Sequence, residues 1–212
     1  VHINRVFREK GLLSVRTERG LELLDAGASE AFAVADHQLA HIYIKDRSRV
    51  EEVKSILEAI PGVEKVLEKT DTSLHLDHER SGNLIAIADA SSWFTYYYWQ
   101  DDRKAPDFAR CVDIHSKPGY DPVELFTDPK DPFVSLKVIW KLIRKKLGFR
   151  TLMNVIPLQA ELVKGSHGRI PEDSEDHPLL IVEATSGLFE ETIPAIRIHD
   201  LIKQLLTKTP GR

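Results

Sequence analysis

Histidine is the residue type with the most chemical information in this chain. The 212-residue sequence has nine histidines, and several stand beside carboxylates and glycines in segments that we predict to be loops. Imidazole nitrogens and carboxylate oxygens that converge from separate loops form the usual ligand set of zinc and manganese hydrolases. The histidine-rich loops are therefore where we expect catalytic chemistry.

The strongest single motif is Gly165-Ser166-His167-Gly168. Its two glycines allow a sharp backbone turn that presents the imidazole without steric crowding. The functional interpretation is a loop that offers His167 to a ligand. The alternative is a surface turn that happens to contain a histidine.

A second motif is Asp113-Ile114-His115. In a strand, residues two apart point to the same face, so Asp113 and His115 would form a ligand pair, or a carboxylate that orients an imidazole. The alternative is a loop in which both side chains have ordinary polar partners.

The third motif is Asp36-His37, with His41 four residues later. In a helix, His37 and His41 would share one face, as in a two-histidine zinc site. The flanking segments AFAV and HIYI favour strands, which predicts that His41 is an ordinary strand residue.

Two further segments could contact a substrate. Arg80 lies in a polar stretch that we interpret as a turn, with binding of an anionic group as the alternative. Residues 93–99, WFTYYYW, could alternate along a strand and either pack in the core or stack on a base or ring. Core packing is the commoner outcome for such a run.

The elements that must position these residues alternate between apolar strands and amphipathic helices, which indicates an α/β fold. A strand–helix–strand unit spans HIYIKD, a helix over 48–60 with Ser48 as its N-cap, and VEKVLE. LIAIAD (84–89) is nearly all apolar, as in a buried parallel strand. We also predict a helix over 1–10, a hairpin around TERG, an irregular segment over 100–130, a basic helix over 131–147 with a solvated polar face, a strand over 179–184 and a last helix from Pro194.

Composition excludes several classes of protein. The formal net charge of −4 argues against nucleic-acid binding by bulk charge. No apolar run is long enough to cross a bilayer, so we expect no membrane partner. One cysteine excludes an internal disulfide and a multi-cysteine zinc site, and slightly favours the cytoplasm. The chain begins at Val1 without an initiator methionine, so we expect a piece of something longer.

Taken together, the motifs resemble the alkaline phosphatase superfamily, in its type I phosphodiesterase/nucleotide pyrophosphatase branch. VKGSHGRIPED is similar to that branch's C-terminal Gly-x-His-Gly loop, and HERSGNLIAIADASSWF to the strand that precedes it, with Asn83 where Asp is usual. AFAVADHQLAHIYI and DIHSKPGYDPVELF resemble an uncharacterised subgroup. The resemblance implies part of an α/β/α sandwich core, residues 1–35 and 84–212, and a small ferredoxin-like (βαβ) cap or insert over 36–83.

The resemblance also implies a metal-dependent phosphohydrolase that acts on phosphate esters with two divalent ions, zinc or manganese. His167 would be a metal ligand, with Asp113 and His115 as further ligands or their supports. A small phosphorylated substrate would contact Trp93, Tyr96, Tyr120 and Arg80.

The family's nucleophile, a Thr or Ser, has no visible counterpart in this chain, and Asp36-His37 is a poor match to the family's Asp-His-Gly motif because Gln and Leu follow it. We therefore expect an N-terminal half or second chain to complete the site, and an exposed apolar sheet edge or face where it docks.

Two alternatives remain open from the sequence. One is a non-catalytic α/β module that binds a ligand or subunit. The other is a self-contained metal hydrolase, which requires Asp36, His37, Asp113, His115 and His167 to converge.

Overall fold

The computed structural model describes residues 1–71, 73–182 and 192–207. Its helices and strands are α1 (Ile3–Glu9), β1 (Val15–Glu18), β2 (Leu21–Leu24), β3 (Ala31–Asp36), β4 (Leu39–Ile44), α2 (Val50–Glu58), β5 (Val63–Glu68), β6 (Leu84–Ala88), α3 (Val134–Lys146) and α4 (Ile198–Thr207). By its contacts the chain divides into two units, residues 1–170 and 171–212. The sheets and the candidate site belong to the first unit, and α4 to the second.

The first unit is built on a four-stranded sheet of order β3-β4-β6-β5, in which every neighbouring pair is antiparallel. Because β4 and β5 both run antiparallel to β6, they run parallel to each other and are linked through α2. The predicted strand–helix–strand unit is therefore confirmed, with β6 inserted between its two strands. The division into a core (1–35 and 84–212) and an insert (36–83) remains a prediction. The sheet contains strands from both segments, since β6 lies in the predicted core and β4 and β5 lie in the predicted insert.

Strand β6 is buried along its whole length, but the prediction that it is a parallel strand was wrong. Leu84, Ala86 and Ala88 face the main core, while Ile85 and Ile87 pack with Leu67 on the opposite face. A continuous apolar run indicates that both faces of a strand are covered. Burial of both faces is compatible with either strand direction.

Helix α1 closes the main core beside β3, as its amphipathic pattern predicts. Ile3 and Phe7 are fully buried. Between them, the Asn4 side chain accepts from the Ala33 backbone N–H at 2.8 Å and donates to the Ala33 carbonyl at 2.9 Å. Those two bonds occupy an edge of β3 that would otherwise be open. The hairpin β1-β2, also predicted, follows α1.

The aromatic run 93–99 belongs to the core but does not form a strand, which corrects the expectation of alternation. The segment is irregular in backbone, and Phe94–Trp99 are all buried. A strand would have pointed successive rings to opposite faces. An irregular path lets consecutive rings pack inward, for example Tyr97 on Trp99 with ring centroids 4.6 Å apart.

Residues 114–116 form a 3-10 turn, so the condition under which Asp113 and His115 would share a strand face is not met. Two local predictions were wrong. The turn before α2 is capped by Asp46, whose side chain accepts from the Ser48 N–H, and not by Ser48 itself. Residues 179–182 are irregular and exposed instead of forming a buried strand. The remainder of that predicted strand, 183–184, lies outside the described residues.

Two other predictions, the irregular segment over 100–130 and the end of the basic helix, are confirmed. Residues 100–130 contain only short 3-10 turns, and Gly148 ends the basic helix α3 with φ +87°. None of the helices in the described ranges is long and apolar enough to span a membrane.

Candidate metal centre

The site begins at the two-residue turn that joins β3 to β4. Asp36 is the last residue of β3, and His37 and Gln38 form the turn. His37 has φ +56°, in the left-handed region that few residues other than glycine adopt. A two-residue hairpin needs such a residue because its backbone must match the twist of the strands.

The turn is fixed by hydrogen bonds from the end of β6 and the segment that follows it. The Phe94 N–H donates to the His37 carbonyl at 2.7 Å, and the Ala88 N–H donates to the Gln38 carbonyl at 2.9 Å. The buried Gln38 side chain donates to the Asp89 carbonyl at 3.2 Å. These bonds hold His37 in its left-handed conformation.

The Gly165–Gly168 loop docks on this turn. The Gln38 N–H donates to the His167 carbonyl at 2.9 Å, and the Ser166 hydroxyl lies 2.9 Å from Nδ1 of His37. Gly168 has φ +111°, and a Cβ there would press on the backbone of 36–39 at 3.4 Å. The second glycine of the motif therefore permits this close approach.

Asp36, His37 and His167 form the resulting cluster. One potential ligand atom from each lies within 4.8 Å of the others. The two imidazole rings stack with centroids 3.9 Å apart and planes 27° apart. His37 is buried, while Asp36 and His167 are exposed, so one side of the cluster is open to solvent.

The electrostatics of His37 suit a metal ligand. Burial is the main cause that lowers its pKa, the neighbouring His167 lowers it further, and Asp36 opposes both. A lowered pKa keeps the imidazole neutral, which is the form that binds metals. When Nδ1 donates to the Ser166 hydroxyl, the lone pair resides on Nε2.

Nε2 of His37 is a buried nitrogen without a hydrogen-bond partner among the described residues. Such buried orphan atoms are rare and call for an explanation. A cation shared with Asp36 and His167 would supply the missing partner, and the donor set of two imidazoles and one carboxylate suits zinc or manganese. The residues present therefore fit a divalent metal ion.

Tyr120 covers the other face of His37. Its ring is 4.7 Å from the imidazole at an interplanar angle of 20°. The Tyr120 N–H donates to the Ala35 carbonyl at 2.9 Å. Gly119, with φ +124°, touches the same strand so closely that a Cβ would collide with the Ala35 carbonyl oxygen.

A buried ion cluster anchors the loop that carries Tyr120. Nζ of Lys117 lies 3.0 Å from Oδ2 of Asp121 and 2.7 Å from Oε1 of Glu124, and the Lys117 and Asp121 side chains are fully buried. Burial raises the pKa of Asp121, and Lys117 opposes that effect. The loop is thus held at its base by charge and at its tip by the contact with β3.

A family model described as "Type I phosphodiesterase / nucleotide pyrophosphatase" matches residues 1–121. The chain belongs to this family. Comparisons with curated proteins and with solved structures give no match. Within the type I phosphodiesterase match lie Asp36, His37 and Tyr120, whereas His167 lies beyond it.

Of the predicted metal ligands, the structure brings only His167 into the cluster. Asp113 and His115 are exposed and take no part in it, and Oδ2 of Asp113 accepts from the Ser116 hydroxyl at 2.7 Å. Their role as ligands in this phosphodiesterase family member remains a prediction.

The predicted substrate contacts lie in different surroundings. Tyr120 is half-buried beside the cluster, and Trp93 is half-buried against Val123, Ile156 and Val163. Tyr96 is completely buried in the core. Arg80 is exposed in the predicted polar turn, where its carbonyl accepts from the Tyr43 hydroxyl. Their contact with substrate remains a prediction.

Asp36 and His37 were undervalued at the sequence level because the residues that follow them depart from the family's Asp-His-Gly pattern. A usable signal was present. Two alternating strands separated by only two residues, His37 and Gln38, predict a tight hairpin, and a histidine in such a turn presents its ring at the sheet edge.

Proposed function

We propose that this chain forms part of a metal-dependent hydrolase of phosphate esters, in which Asp36, His37 and His167 hold a divalent cation. The observation that carries the proposal is the buried Nε2 of His37, which has no hydrogen-bond partner among the described residues, in a cluster where one potential ligand atom from each of Asp36, His37 and His167 lies within 4.8 Å of the others. Membership of the type I phosphodiesterase/nucleotide pyrophosphatase family supports the phosphate-ester chemistry.

Each residue has a separate task in this proposal. His37 is held neutral by burial and oriented by the Ser166 hydroxyl and the Tyr120 ring. Asp36 and His167 are exposed, so their ligand atoms face the side from which a small phosphate ester approaches. When bound, a divalent cation supplies a Lewis acid that stabilises charge on the phosphoryl oxygens.

The finer features are also proposals. We expect two ions, zinc or manganese, an α/β/α core around the described sheet, and Tyr120 as a substrate contact. The Thr or Ser nucleophile and the remaining ligands would come from another segment or chain. If the chain is instead a non-catalytic binding module, the full-length gene product will have no phosphoesterase activity, whether or not it binds metal.

The proposal is tested by titrating the chain with Zn²⁺ and Mn²⁺ in a calorimeter. We expect binding that weakens at least about 100-fold in His167→Ala and in Asp36→Asn, since loss of outer-shell partners alone costs 10–100-fold. His78→Ala is the matched control, because His78 is exposed in a polar turn away from the cluster. Unchanged affinity in His167→Ala would overturn the assignment.

His115→Ala separates this metal centre from the one expected from the sequence. We expect His115→Ala to bind metal as the wild type does, because His115 is exposed and outside the cluster. Loss of metal in His115→Ala with retention in His167→Ala would favour the Asp113–His115 pair. Hydrolysis of a nitrophenyl phosphodiester by the full-length gene product then tests the reaction.

A further inference from the structure

Helix α3 exposes an apolar stripe. No residue of this described helix is buried. The exposed fractions are 61% for Leu136, 52% for Ile139, 60% for Trp140, 44% for Ile143 and 68% for Leu147. Their spacing of three or four residues places all five on one helix face. A surface helix normally turns such a face inward.

The opposite side of α3, which carries Val134, Val138 and Lys141, points towards the rest of the first unit. Lys141 is half-buried, and its Nζ donates to the Leu152 carbonyl at 3.1 Å and contacts Oδ1 of Asn154. Val134 and Val138 lie on the same side and are also half-buried. The helix is therefore oriented so that the apolar stripe faces outward.

The charged side chains of the helix are all basic. Residues 133–150 contain six basic residues and no acidic residue, in a chain whose net charge is −4. Lys137 pairs with Asp131 and Lys141 bonds inward, which leaves Arg144, Lys145, Lys146 and Arg150 to meet an anionic surface. A surface with an apolar centre and only positive borders is complementary to a surface with an apolar interior and negative borders.

We propose that α3 lies in the plane of an anionic phospholipid membrane and attaches the protein to it. Leu136, Ile139 and Ile143 would enter the acyl boundary, while the Lys and Arg stems extend to the headgroup phosphates. Trp140, in the middle of the stripe, is the residue type that favours the membrane interface. A docking site for protein would instead be depleted in lysine.

This attachment is independent of the metal centre, and it needs no spanning helix. The expectation that the protein has no membrane partner was based on the absence of a spanning segment, and the basic helix was interpreted as a solvated face. Lys137, Arg144, Lys145 and Lys146 are exposed, as that interpretation expects, but the structure exposes the apolar face of α3 as well, which hydropathy alone does not predict.

The test is co-sedimentation of the chain with phosphatidylcholine vesicles that contain or lack 30 mol% phosphatidylserine. We expect pelleting only with phosphatidylserine, and its loss in high salt. Ile139→Glu should abolish pelleting, and Lys145→Gln/Lys146→Gln should weaken it about 30-fold. Leu179→Glu is the control, since Leu179 is an exposed apolar residue outside α3.

Trp140 provides an independent readout. Its fluorescence should shift to the blue on vesicle binding and be quenched by brominated lipid, and the change should disappear in Trp140→Phe. His167→Ala should bind vesicles normally, which separates failure here from failure of the metal centre. Equal pelleting with both vesicle types would overturn the proposal. So would a dimer without vesicles that Ile139→Glu dissociates, because α3 would then cover a second copy.

Discussion

His37 shows how one residue reconciles two demands. Its ring must lie between His167 and Tyr120, and its backbone must adopt the left-handed conformation that the hairpin requires. Histidine visits this conformation more often than most residues, but not without cost. Strain of this kind is typical of functional sites where the surrounding bonds determine the geometry, which agrees with the proposed role of His37 as a metal ligand.

The strain at His37 predicts an inverted order of stability between two variants. At an ordinary position Gly is less stable than Ala by about 0.5–1 kcal/mol. At φ +56° we expect His37→Gly to exceed His37→Ala in unfolding free energy by about 1 kcal/mol, because Ala carries the steric penalty of a Cβ. Urea denaturation with a chelator present measures the difference, and the usual order would show that the turn relaxes.

At the scale of elements, two loops converge on one hairpin turn. The Gly165–Gly168 loop reaches the turn through a backbone hydrogen bond, and the loop that carries Tyr120 reaches β3 through Gly119. Both loops are irregular, and both depend on glycine at the point of closest approach. The hairpin is thus the rigid element, and the loops are positioned against it.

Gly119→Ala tests this dependence on close approach. A Cβ at Gly119 would collide with the Ala35 carbonyl, and φ +124° disfavours any residue with a Cβ. We expect a loss of at least about 2 kcal/mol in unfolding free energy. Gly27→Ala is the matched control, since a Cβ there meets only Oδ1 of Asp25 at 3.7 Å. Similar stability of the two variants would contradict the close packing of this loop.

At the scale of the whole molecule, the buried Lys117–Asp121 pair couples protonation to folding. Burial raises the pKa of Asp121 above its unfolded value, so its ionised form costs stability as the pH rises through the folded-state pKa. Lys117 reduces this cost by opposing the shift. Removing Lys117 would leave a buried carboxylate without its cation.

Lys117→Met should therefore destabilise the protein more at pH 8 than at pH 5. We expect a loss of about 3–5 kcal/mol at pH 8, because breaking a buried pair leaves an uncompensated charge. At pH 5 part of the loss should be recovered, since the pKa of Asp121 rises further and the carboxyl binds a proton. Guanidinium denaturation at both pH values measures the difference. Lys117→Met/Asp121→Asn should lose most of the pH dependence, and equal losses at both pH values would contradict the coupling.

Local pattern predicted most of the elements in the first unit. Apolar periodicity indicated α1, α2 and the strands β3, β4 and β6, and glycines marked several of their ends. The apolar pattern indicates which faces are covered, so it identified β6 as buried on both sides. The same pattern carries no information on strand direction, and the antiparallel pairing of β6 was therefore not predicted.

For the candidate metal centre, the sequence alone determined that a glycine-flanked His167 would be presented by a loop and that the chain resembles a phosphodiesterase branch. Only the tertiary structure decided that its neighbours are Asp36 and His37, 130 residues away in the chain, and that Asp113 and His115 remain apart. Tertiary structure also decided that α3 turns its apolar face outward. The reason is physical. The type and spacing of residues determine what they can bind and which faces can be buried. Their actual neighbours depend on long-range contacts, such as the backbone approach at Gly168, and no local pattern encodes those contacts.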